Sequence, residues 1–335
     1  MKQTGLLVLA LTFLLAGCGG DGGEQGPAAP LHVGLVFDVG GLGDKSFNDS
    51  AYQGLLRAQR ELGVSFQYHE PGEGGDREEA LRLMASGAAD LVFGVGFLFT
   101  DDITTVARAF PQKKFACIDY AVKDTAALPE NLAAVKFREE EGAFLAGALA
   151  GWLTESGVVG FIGGMEGALI RKFEAGYRAG ARHARPGVEV LVNYVGVTGS
   201  AFRNPSKAKE LALAQYDAGA DIIFHASGAS GLGVFEAARS RDQLAIGVDS
   251  DQGDEAPGHV LTSVLKRVDV AVFEVIRTTL ADEFPQGIAV FGLEEGAVSL
   301  VIDEDNRRWI TPELEQRLER LEAEISAGRI EVPSS

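Results

Sequence analysis

A glycine-rich turn followed by polar side chains lies near the start of the chain, in the segment GGLGDKSFNDSA at residues 40–51. Such a turn serves phosphate chemistry when its backbone N–H groups wrap the phosphates and a lysine follows the last glycine directly, as in G-x-x-x-x-G-K-[ST]. Here Asp44 stands between Gly43 and Lys45, and a carboxylate at that position repels phosphate. The dinucleotide pattern G-x-G-x-x-G does not fit these glycines either. The spacing therefore argues against nucleotide hydrolysis at this turn.

The same segment carries an aromatic ring and an amide at the predicted start of a helix. Phe47 offers a ring face, and Asn48 offers both a hydrogen-bond donor and an acceptor, which together suit a flat, polar ligand. A structural interpretation is equally open at this point, in which Asn48 or Asp49 caps the helix and Phe47 packs in the core. The segment thus predicts either a ligand contact or a helix cap.

The remaining residue types offer no catalytic centre. The chain has five histidines without the spacing of metal ligands, and we interpret His225, inside an apolar strand, as a packed core residue. It has no G-x-S-x-G elbow, and its two cysteines are Cys18 and Cys117. We interpret Cys117 as a small apolar strand residue without a disulfide partner. The sequence therefore predicts a binding protein rather than an enzyme, with no cofactor and no metal.

The N-terminal residues predict export and anchoring. MKQTGLLVLALTFLLAGCGG gives a positive charge, a short apolar run and small residues before Cys18. The run is too short for a permanent membrane span, so we assign 1–17 to a lipoprotein signal peptide, Cys18 to lipidation and 18–30 to a flexible tether. An ordinary signal peptide with a chance cysteine is the alternative. The assignment predicts a body outside the cytoplasm, held in the cell envelope by its lipid anchor.

Charge and length bound the other possibilities. The formal net charge of −18 argues against a nucleic-acid partner, because binding to nucleic acid requires a basic face. About 300 residues follow the tether, and a chain of this length is usually too long to fold around a single hydrophobic core. We therefore expect two folded units.

The body repeats a short apolar strand, a turn and an amphipathic helix, a pattern that indicates parallel sheets in an α/β fold. Strands are predicted at 32–37, 64–70, 90–96, 114–119 and 132–137, and again at 158–164, 189–195, 221–227 and 244–249. Helices are predicted at 46–62, 76–86, 100–109, 139–154, 169–184, 205–218 and 231–240. Ligands of open parallel sheets lie outside the carboxyl ends of the strands, so the residues after each strand form the candidate site.

The two series predict two doubly wound lobes with a ligand cleft between them. The segment after residue 250 is too short for a third lobe, so we expect it to return and complete the other two. We assign 31–137 plus about 250–280 to lobe 1, and 138–249 plus about 281–325 to lobe 2.

Several long motifs resemble a known family. They are VFDVGGLGDKSFNDSAYQGL, KFACID, VKFREEEGAFLAGALAG, KFEAGYRAGA, ADIIFHASGASGLGVFEAA, IGVDSDQ and LTSVLKRVD, within about residues 31–300. They resemble the basic membrane protein family, which includes purine nucleoside receptor lipoproteins of bacterial ABC transporters. The resemblance implies a type I periplasmic-binding-protein fold, in which three crossover strands join two α/β lobes that close on a ligand. We also expect a monomer that serves the permease and ATPase subunits of a transporter.

The resemblance implies ligand contacts residue by residue. In the family's nucleoside binders two phenylalanines stack on the base, and they correspond here to Phe47 of KSFN and Phe202 of GSAFRNP. Asn48 and Asp119 fall where the family contacts the base. The segment around Phe202 departs from the family's SF-x-DP pattern because Asn204 replaces the aspartate, so the polar pattern differs there.

The resemblance implies a second group of contacts, to the sugar. Gly228, Asp249 and Lys266 fall where the family contacts the ribose. Asp38 and Asp44 lie near the pocket as supports.

The polar groups favour certain ligands. Because a carboxylate only accepts hydrogen bonds, Asp119 suits the N1–H of hypoxanthine or guanine, and adenine leaves it unpaired. The cleft positions are acidic and hold no arginine cluster, so monophosphates should bind weakly or not at all. We therefore predict a lipid-anchored substrate-binding protein for a nucleoside such as guanosine, inosine or adenosine. The alternative is a sensory or surface lipoprotein of the same fold that binds a sugar or another heterocycle and signals to a partner.

Overall fold

The computed structural model describes residues 30–70, 76–121 and 128–335. The predicted signal peptide at 1–17, the lipidation residue Cys18 and nearly all of the predicted tether lie outside the described residues. Within the described ranges, no helix combines the length and the apolar character needed to cross a membrane.

Twelve strands are found in this part of the chain. In chain order they are β1 His32–Val36, β2 Ser65–His69, β3 Leu91–Val95, β4 Lys114–Ile118, β5 Leu132–Phe137, β6 Val158–Met165, β7 Glu189–Gly196, β8 Ile222–Ala226, β9 Leu244–Asp249, β10 Val260–Lys266, β11 Gly287–Phe291 and β12 Val298–Leu300. One sheet has the order β11-β5-β4-β3-β1-β2 and the other β12-β10-β9-β8-β6-β7. All neighbours are parallel except β10 and β12.

The helices cover the faces of the two sheets. The described residues form α1 Phe47–Leu62, α2 Arg77–Ser86, α3 Thr100–Ala109, α4 Glu139–Leu153, α5 Ala168–Ala184, α6 Pro205–Asp217, α7 Gly231–Arg241, α8 Val268–Leu280 and α9 Pro312–Ser326. Central strands such as β3 and β8 are buried along their whole length, as expected when helices cover both faces of a parallel sheet. The predicted fold of two doubly wound lobes is confirmed.

Close packing of α4 on α5 fixes the helix that borders the cleft. Both helices carry glycines at their contact, and a Cβ added to Gly147 would lie 2.0 Å from the carbonyl oxygen of Tyr177. A Cβ on Gly180 would lie 1.9 Å from the carbonyl oxygen of Phe144. The two backbones can approach this closely only without side chains at these positions. The contact holds the first turns of α5 at the cleft.

Three connections cross between the sheets within the described residues. They follow β5 at Arg138, β10 at Arg267 and β11 at residues 292–297. Backbone hydrogen bonds tie them together, from Arg138 to Phe291 (2.8 Å) and from Arg267 to Ala297 (2.8 Å). These bonds make the crossovers one hydrogen-bonded hinge.

The expected division of the C-terminal segment is wrong for two strands. Strand β10 was assigned with about 250–280 to lobe 1, but it pairs with β9 in the second sheet. Strand β11 was assigned with about 281–325 to lobe 2, but it pairs with β5 in the first. The chain crosses after each of these strands, and a strand's own residue pattern does not identify which sheet edge it joins. The helices follow the expectation, since α8 packs on α1 and α9 on α4.

Candidate ligand-binding cleft

A cavity lies between the carboxyl ends of the strands of the two sheets. The structure places all nine residues of the predicted ligand site in its wall: Asp38, Asp44, Phe47, Asn48, Asp119, Phe202, Gly228, Asp249 and Lys266. The residues that follow the strands therefore meet in one cavity, and their contact with a ligand stays a prediction.

The turn between β1 and α1 is held by its own carboxylates. Asp44 accepts hydrogen bonds from the backbone N–H groups of Ser46 (2.9 Å), Asn48 (2.9 Å) and Asp49 (3.1 Å). It thereby satisfies N–H groups that the first turn of a helix leaves without partners. Asp49 accepts instead from two N–H groups of the turn itself, at 2.7 and 3.1 Å. Asp44 therefore caps α1, and the side chain of Asn48 is not required for that role.

Asn48 presents a fixed amide to the cavity. Its Oδ1 accepts from the backbone N–H of Asp38 (2.9 Å), and its Nδ2 donates to Asp44 (2.9 Å). An amide has two N–H groups and two oxygen lone pairs, so one of each remains for a ligand. The preceding Phe47 is half-buried and lines the same cavity.

Two aspartates hold equivalent positions in the two lobes. Asp119 follows β4 with φ +65°, and Asp249 ends β9 with φ +67°. This left-handed conformation is uncommon for residues other than glycine, and Asp and Asn tolerate it best. Oδ2 of Asp249 accepts a hydrogen bond from Ser46 Oγ (2.5 Å). Oδ2 of Asp119 accepts from Lys266 Nζ (2.6 Å), while its buried Oδ1 has no hydrogen-bond partner among the described residues.

Lys266 is a buried cation at the end of β10. Its Nζ contacts Asp119 and also lies 3.1 Å from Glu139. Burial alone would lower the pKa of Lys266, but these two carboxylates raise it, and the net result lies above the usual range. The ammonium is 5.1 Å from the ring centroid of Phe47 and 4.9 Å from that of Phe137, within cation–π range. The charged ammonium therefore sits beneath the first predicted stacking ring.

The other acidic groups of the cavity are difficult to ionise. Burial raises the pKa of Asp38 and of Asp249 to about 7, opposed at Asp38 by a backbone hydrogen bond and at Asp249 by Lys266. Burial also raises the pKa of Asp44. A neutral carboxyl group both donates and accepts hydrogen bonds, so the cavity can hydrogen-bond to uncharged polar ligands.

The second predicted ring, Phe202, comes from a short helical turn after β7. A Cβ on Gly164 would lie 2.3 Å from its Cε1, so the glycine makes room for the ring. Gly228 has φ +53° in the neighbouring loop, a conformation that glycine adopts readily. Across the cleft, Phe97 contacts the Phe202 ring edge-on at 6.2 Å between centroids. The cleft therefore has aromatic side chains from both lobes.

Part of the cavity wall was not predicted from the sequence. The additional described residues that line it are Val39, Gly96, Phe97, Leu169, Ile170, Phe173, Ala226 and Val248. Phe97 directly follows the turn after β3, so the expectation that ligands lie at the carboxyl ends of the strands could have located it. Phe173 lies inside α5, about which that expectation says nothing.

The lobes also contact each other directly beside the cavity. Ser250 Oγ donates to the carbonyl oxygen of Ser46 (3.2 Å), and Gln252 Nε2 donates to that of Lys45 (2.9 Å). Oε1 of Gln252 faces His225 Nε2 at 3.1 Å. His225 is fully buried, and burial lowers its pKa to about 4, so it is a neutral core residue as interpreted from the sequence. The hydrogen bonds of Ser250 and Gln252 join the two lobes beside the cavity.

Comparison with known proteins supports the family resemblance. The model of the Bmp family, described as PnrA-like ABC transporter substrate-binding proteins, matches residues 31–335. Basic membrane protein A of Borreliella burgdorferi is 32% identical over 341 residues, covering 100% of this chain and 96% of that protein. A Lactococcus lactis protein named ABC transporter nucleoside-binding protein BmpA is 30% identical, with 98% of this chain and 97% of that protein covered.

A solved structure shows the same architecture. The ABC-transporter solute-binding protein of Aeropyrum pernix superposes with a TM-score of 0.83 at 29% identity, covering 91% of this chain and 94% of that chain. A solute-binding protein of Conexibacter woesei gives a TM-score of 0.72 at 23% identity, with 91% and 99% covered, which supports the fold alone.

Proposed function

This chain belongs to the basic membrane protein (Bmp) family of ABC-transporter substrate-binding proteins, and we propose that its substrate is a nucleoside. The family consists of proteins that bind substrates for transporters, and such proteins act outside the cytoplasm. The name of the Lactococcus lactis relative supports a nucleoside. The proposal extends to the purine nucleosides, with inosine and guanosine preferred over adenosine.

The observation that carries this proposal is the free oxygen of Asp119. Its Oδ1 is buried without a partner among the described residues, beside Phe47 and Asn48 in the wall of the cavity. A buried carboxylate oxygen without a donor is costly, and a ligand N–H removes that cost. A purine with N1–H supplies such a donor in the plane of a ring that Phe47 can stack on.

The ribose is proposed to lie toward Asp249, Gly228 and Lys266. Asp249 belongs to the second lobe and already accepts a hydrogen bond from Ser46 of the first. A ribose hydroxyl group can donate to the ionised carboxylate or accept from the neutral carboxyl group, so it can pair with either protonation state of Asp249. A ligand that bridges Asp119 and Asp249 contacts both lobes only in the closed cleft, and this difference shifts the lobes toward closure.

Phosphorylated ligands are proposed to be excluded. Four carboxyl groups, Asp38, Asp44, Asp119 and Asp249, line the cavity, and Lys266 is the one basic side chain among the described lining residues. Lys266 is already bound to two carboxylates. A phosphate would therefore meet carboxyl groups and no free cation that could balance its charge.

The partners and the anchor follow from the same proposal. The protein delivers its nucleoside, as a monomer, to the permease and ATPase subunits of an ABC transporter. Lipidation of Cys18 holds it at the membrane, in line with relatives from Pyrococcus that are named as lipoproteins.

Calorimetric titration of residues 31–335 tests the ligand class. The ligands are inosine, guanosine, adenosine, inosine monophosphate and glucose. We expect inosine and guanosine to bind at least tenfold more tightly than adenosine, and the monophosphate to bind more weakly than inosine. Tighter binding of glucose than of any nucleoside would refute the nucleoside proposal. Tighter binding of the monophosphate would refute the exclusion of phosphate.

A further inference from the structure

Four ionisable side chains form a continuous chain from the ligand cavity to the hinge. Lys266 Nζ contacts Asp119 Oδ2 (2.6 Å) and Glu139 Oε1 (3.1 Å), and Lys172 Nζ contacts Glu139 Oε2 (2.9 Å). Asp119, Lys266 and Glu139 are each at most 5% exposed, and Lys172 is 23% exposed at the outer end. We call Asp119, Lys266, Glu139 and Lys172 the buried charge chain.

The buried charge chain joins the lobes at their crossovers. Glu139 is the first residue of α4, directly after the first crossover, and Lys266 is the last residue of β10, directly before the second. Lys172 of α5 also donates to the carbonyl oxygen of Phe137, at 2.8 Å, at the end of β5. Glu139 is not among the described residues that line the cavity, so it acts on the ligand only through its neighbours.

We propose that Glu139 is a positioning residue for the ligand site, because by sharing the Lys266 ammonium with Asp119 it leaves Asp119 Oδ1 free to accept a hydrogen bond from the ligand. The proposal rests on the proposed function and adds a residue to it. It explains why a carboxylate with a lysine beside it keeps one buried oxygen without a partner among the described residues.

The geometry supports this role in three ways. The ammonium of Lys266 donates one hydrogen bond to Asp119 and forms an ion pair with Glu139 at 3.1 Å, so two carboxylates share its charge. If Glu139 were neutral, Lys266 would be free to move toward both oxygens of Asp119. Its position between the rings of Phe47 and Phe137, at 5.1 and 4.9 Å, would also be lost. Glu139 therefore controls both the acceptor and the cation beneath the stacking ring.

Selectivity between two ligands distinguishes this role from a purely structural one. Inosine has an N1–H that donates to Asp119, whereas adenosine has an acceptor at N1. We expect Glu139→Gln to weaken inosine binding at least tenfold and to change the affinity for adenosine less than threefold. The matched control is Glu140→Gln, since Glu140 is the next residue, is largely buried and lies 3.7 Å from Lys172 without contacting Lys266. Glu140→Gln should change the affinity for each ligand less than threefold.

A ligand-free measurement separates failure of this inference from failure of the proposed function. The negative charge of Glu139 raises the pKa of Asp119, whose shift is caused mainly by burial. Glu139→Gln should therefore lower the pKa of Asp119 in a ¹³C NMR titration of the carboxyl groups, and Glu140→Gln should leave it in place. If the wild type binds no nucleoside, the proposed function fails while this titration still decides whether Glu139 acts on Asp119.

Two results would overturn the inference. One is an unchanged pKa of Asp119 in Glu139→Gln, and the other is an equal loss of inosine and adenosine affinity. If Glu139→Gln does not yield folded protein, Lys172→Gln serves as the second variant. It removes the competing cation from Glu139, so Lys266 is held more firmly and inosine should bind as tightly as before or more tightly. Weaker inosine binding by Lys172→Gln with an unchanged inosine-to-adenosine ratio would also contradict the inference.

Discussion

Replacing Asp119 with Asn tests the base contact in detail. Asn tolerates the left-handed backbone of this position, φ +65°, nearly as well as Asp, so the turn after β4 should keep its conformation. The carboxamide oxygen can still accept the hydrogen bond from Lys266, which also keeps its contact with Glu139. The amide nitrogen then occupies the place of the free Oδ1. The substitution thus exchanges a buried acceptor for a donor and leaves the cation paired.

The magnitude follows from the lost hydrogen bond. A hydrogen bond to a charged group contributes about 1.5 to 3 kcal/mol, and 1.4 kcal/mol corresponds to a tenfold change in affinity. Inosine should therefore bind about 10- to 150-fold more weakly to Asp119→Asn. Adenosine should gain affinity, because its N1 accepts a hydrogen bond from the new amide. The order of preference should invert.

Calorimetric titration of both nucleosides measures the effect, with thermal unfolding of each variant as a check on folding. Asp242→Asn is the matched control, because Asp242 also has a positive φ of +54° but lies exposed at the end of α7. It should leave both affinities unchanged. A uniform loss of inosine and adenosine affinity in Asp119→Asn, or no loss of inosine affinity, would refute the assignment of Asp119 to the base.

Three further predictions concern the stacking ring, the second carboxyl group and closure. Phe47→Ala should weaken inosine binding at least tenfold in calorimetry, since stacking contributes about 1 to 3 kcal/mol per base. An unchanged affinity would show that Phe47 does not contact the base. Burial raises the pKa of Asp38 and of Asp249 from 3.8 to about 7, so the folded protein keeps these protons up to about pH 7 while the unfolded chain loses them near pH 3.8. Both groups therefore lower the melting temperature of the ligand-free protein as pH rises from about 4 to about 7. Asp249→Asn should make that fall shallower, and an identical pH profile would contradict the protonation of Asp249. Ser250→Ala removes a hydrogen bond across the cleft to Ser46, which contributes about 0.5 to 1.5 kcal/mol, so inosine binding should weaken about 2- to 10-fold. Small-angle scattering should show a more open ligand-free protein. Unchanged scattering together with unchanged affinity would refute a role of Ser250 in closure.

The sequence was sufficient for the fold and for the residues at the strand ends. The alternation of strands with helices predicted the first nine strands, and the signal is strongest for strands buried on both faces, such as β3 and β8, which are almost continuously apolar. It did not predict β11, a short edge strand with alternating exposure, or the sheet that β10 joins. These depend on where the chain crosses between lobes, which side-chain pattern does not encode.

The candidate site divides in the same way. Asp119 and Asp249 follow strands and could be located from sequence, whereas Phe173 borders the cavity only because α4 holds α5 against it. The motif KSFND left open whether Asn48 caps α1, and the hydrogen bonds of Asp44 answer that question. The pairing of Lys266 with Glu139 as well as Asp119 required the three-dimensional arrangement of two crossovers.

A crystal structure of the protein saturated with inosine would show which side chains hold the base and the ribose. We predict hypoxanthine stacked on Phe47 and Phe202, with N1 about 2.7 to 3.2 Å from Asp119 Oδ1 and the ribose hydroxyl groups at Asp249. Inosine bound outside this cavity would refute the proposed site. So would a bound base whose N1–H avoids Asp119 while Lys266 occupies both oxygens of that carboxylate.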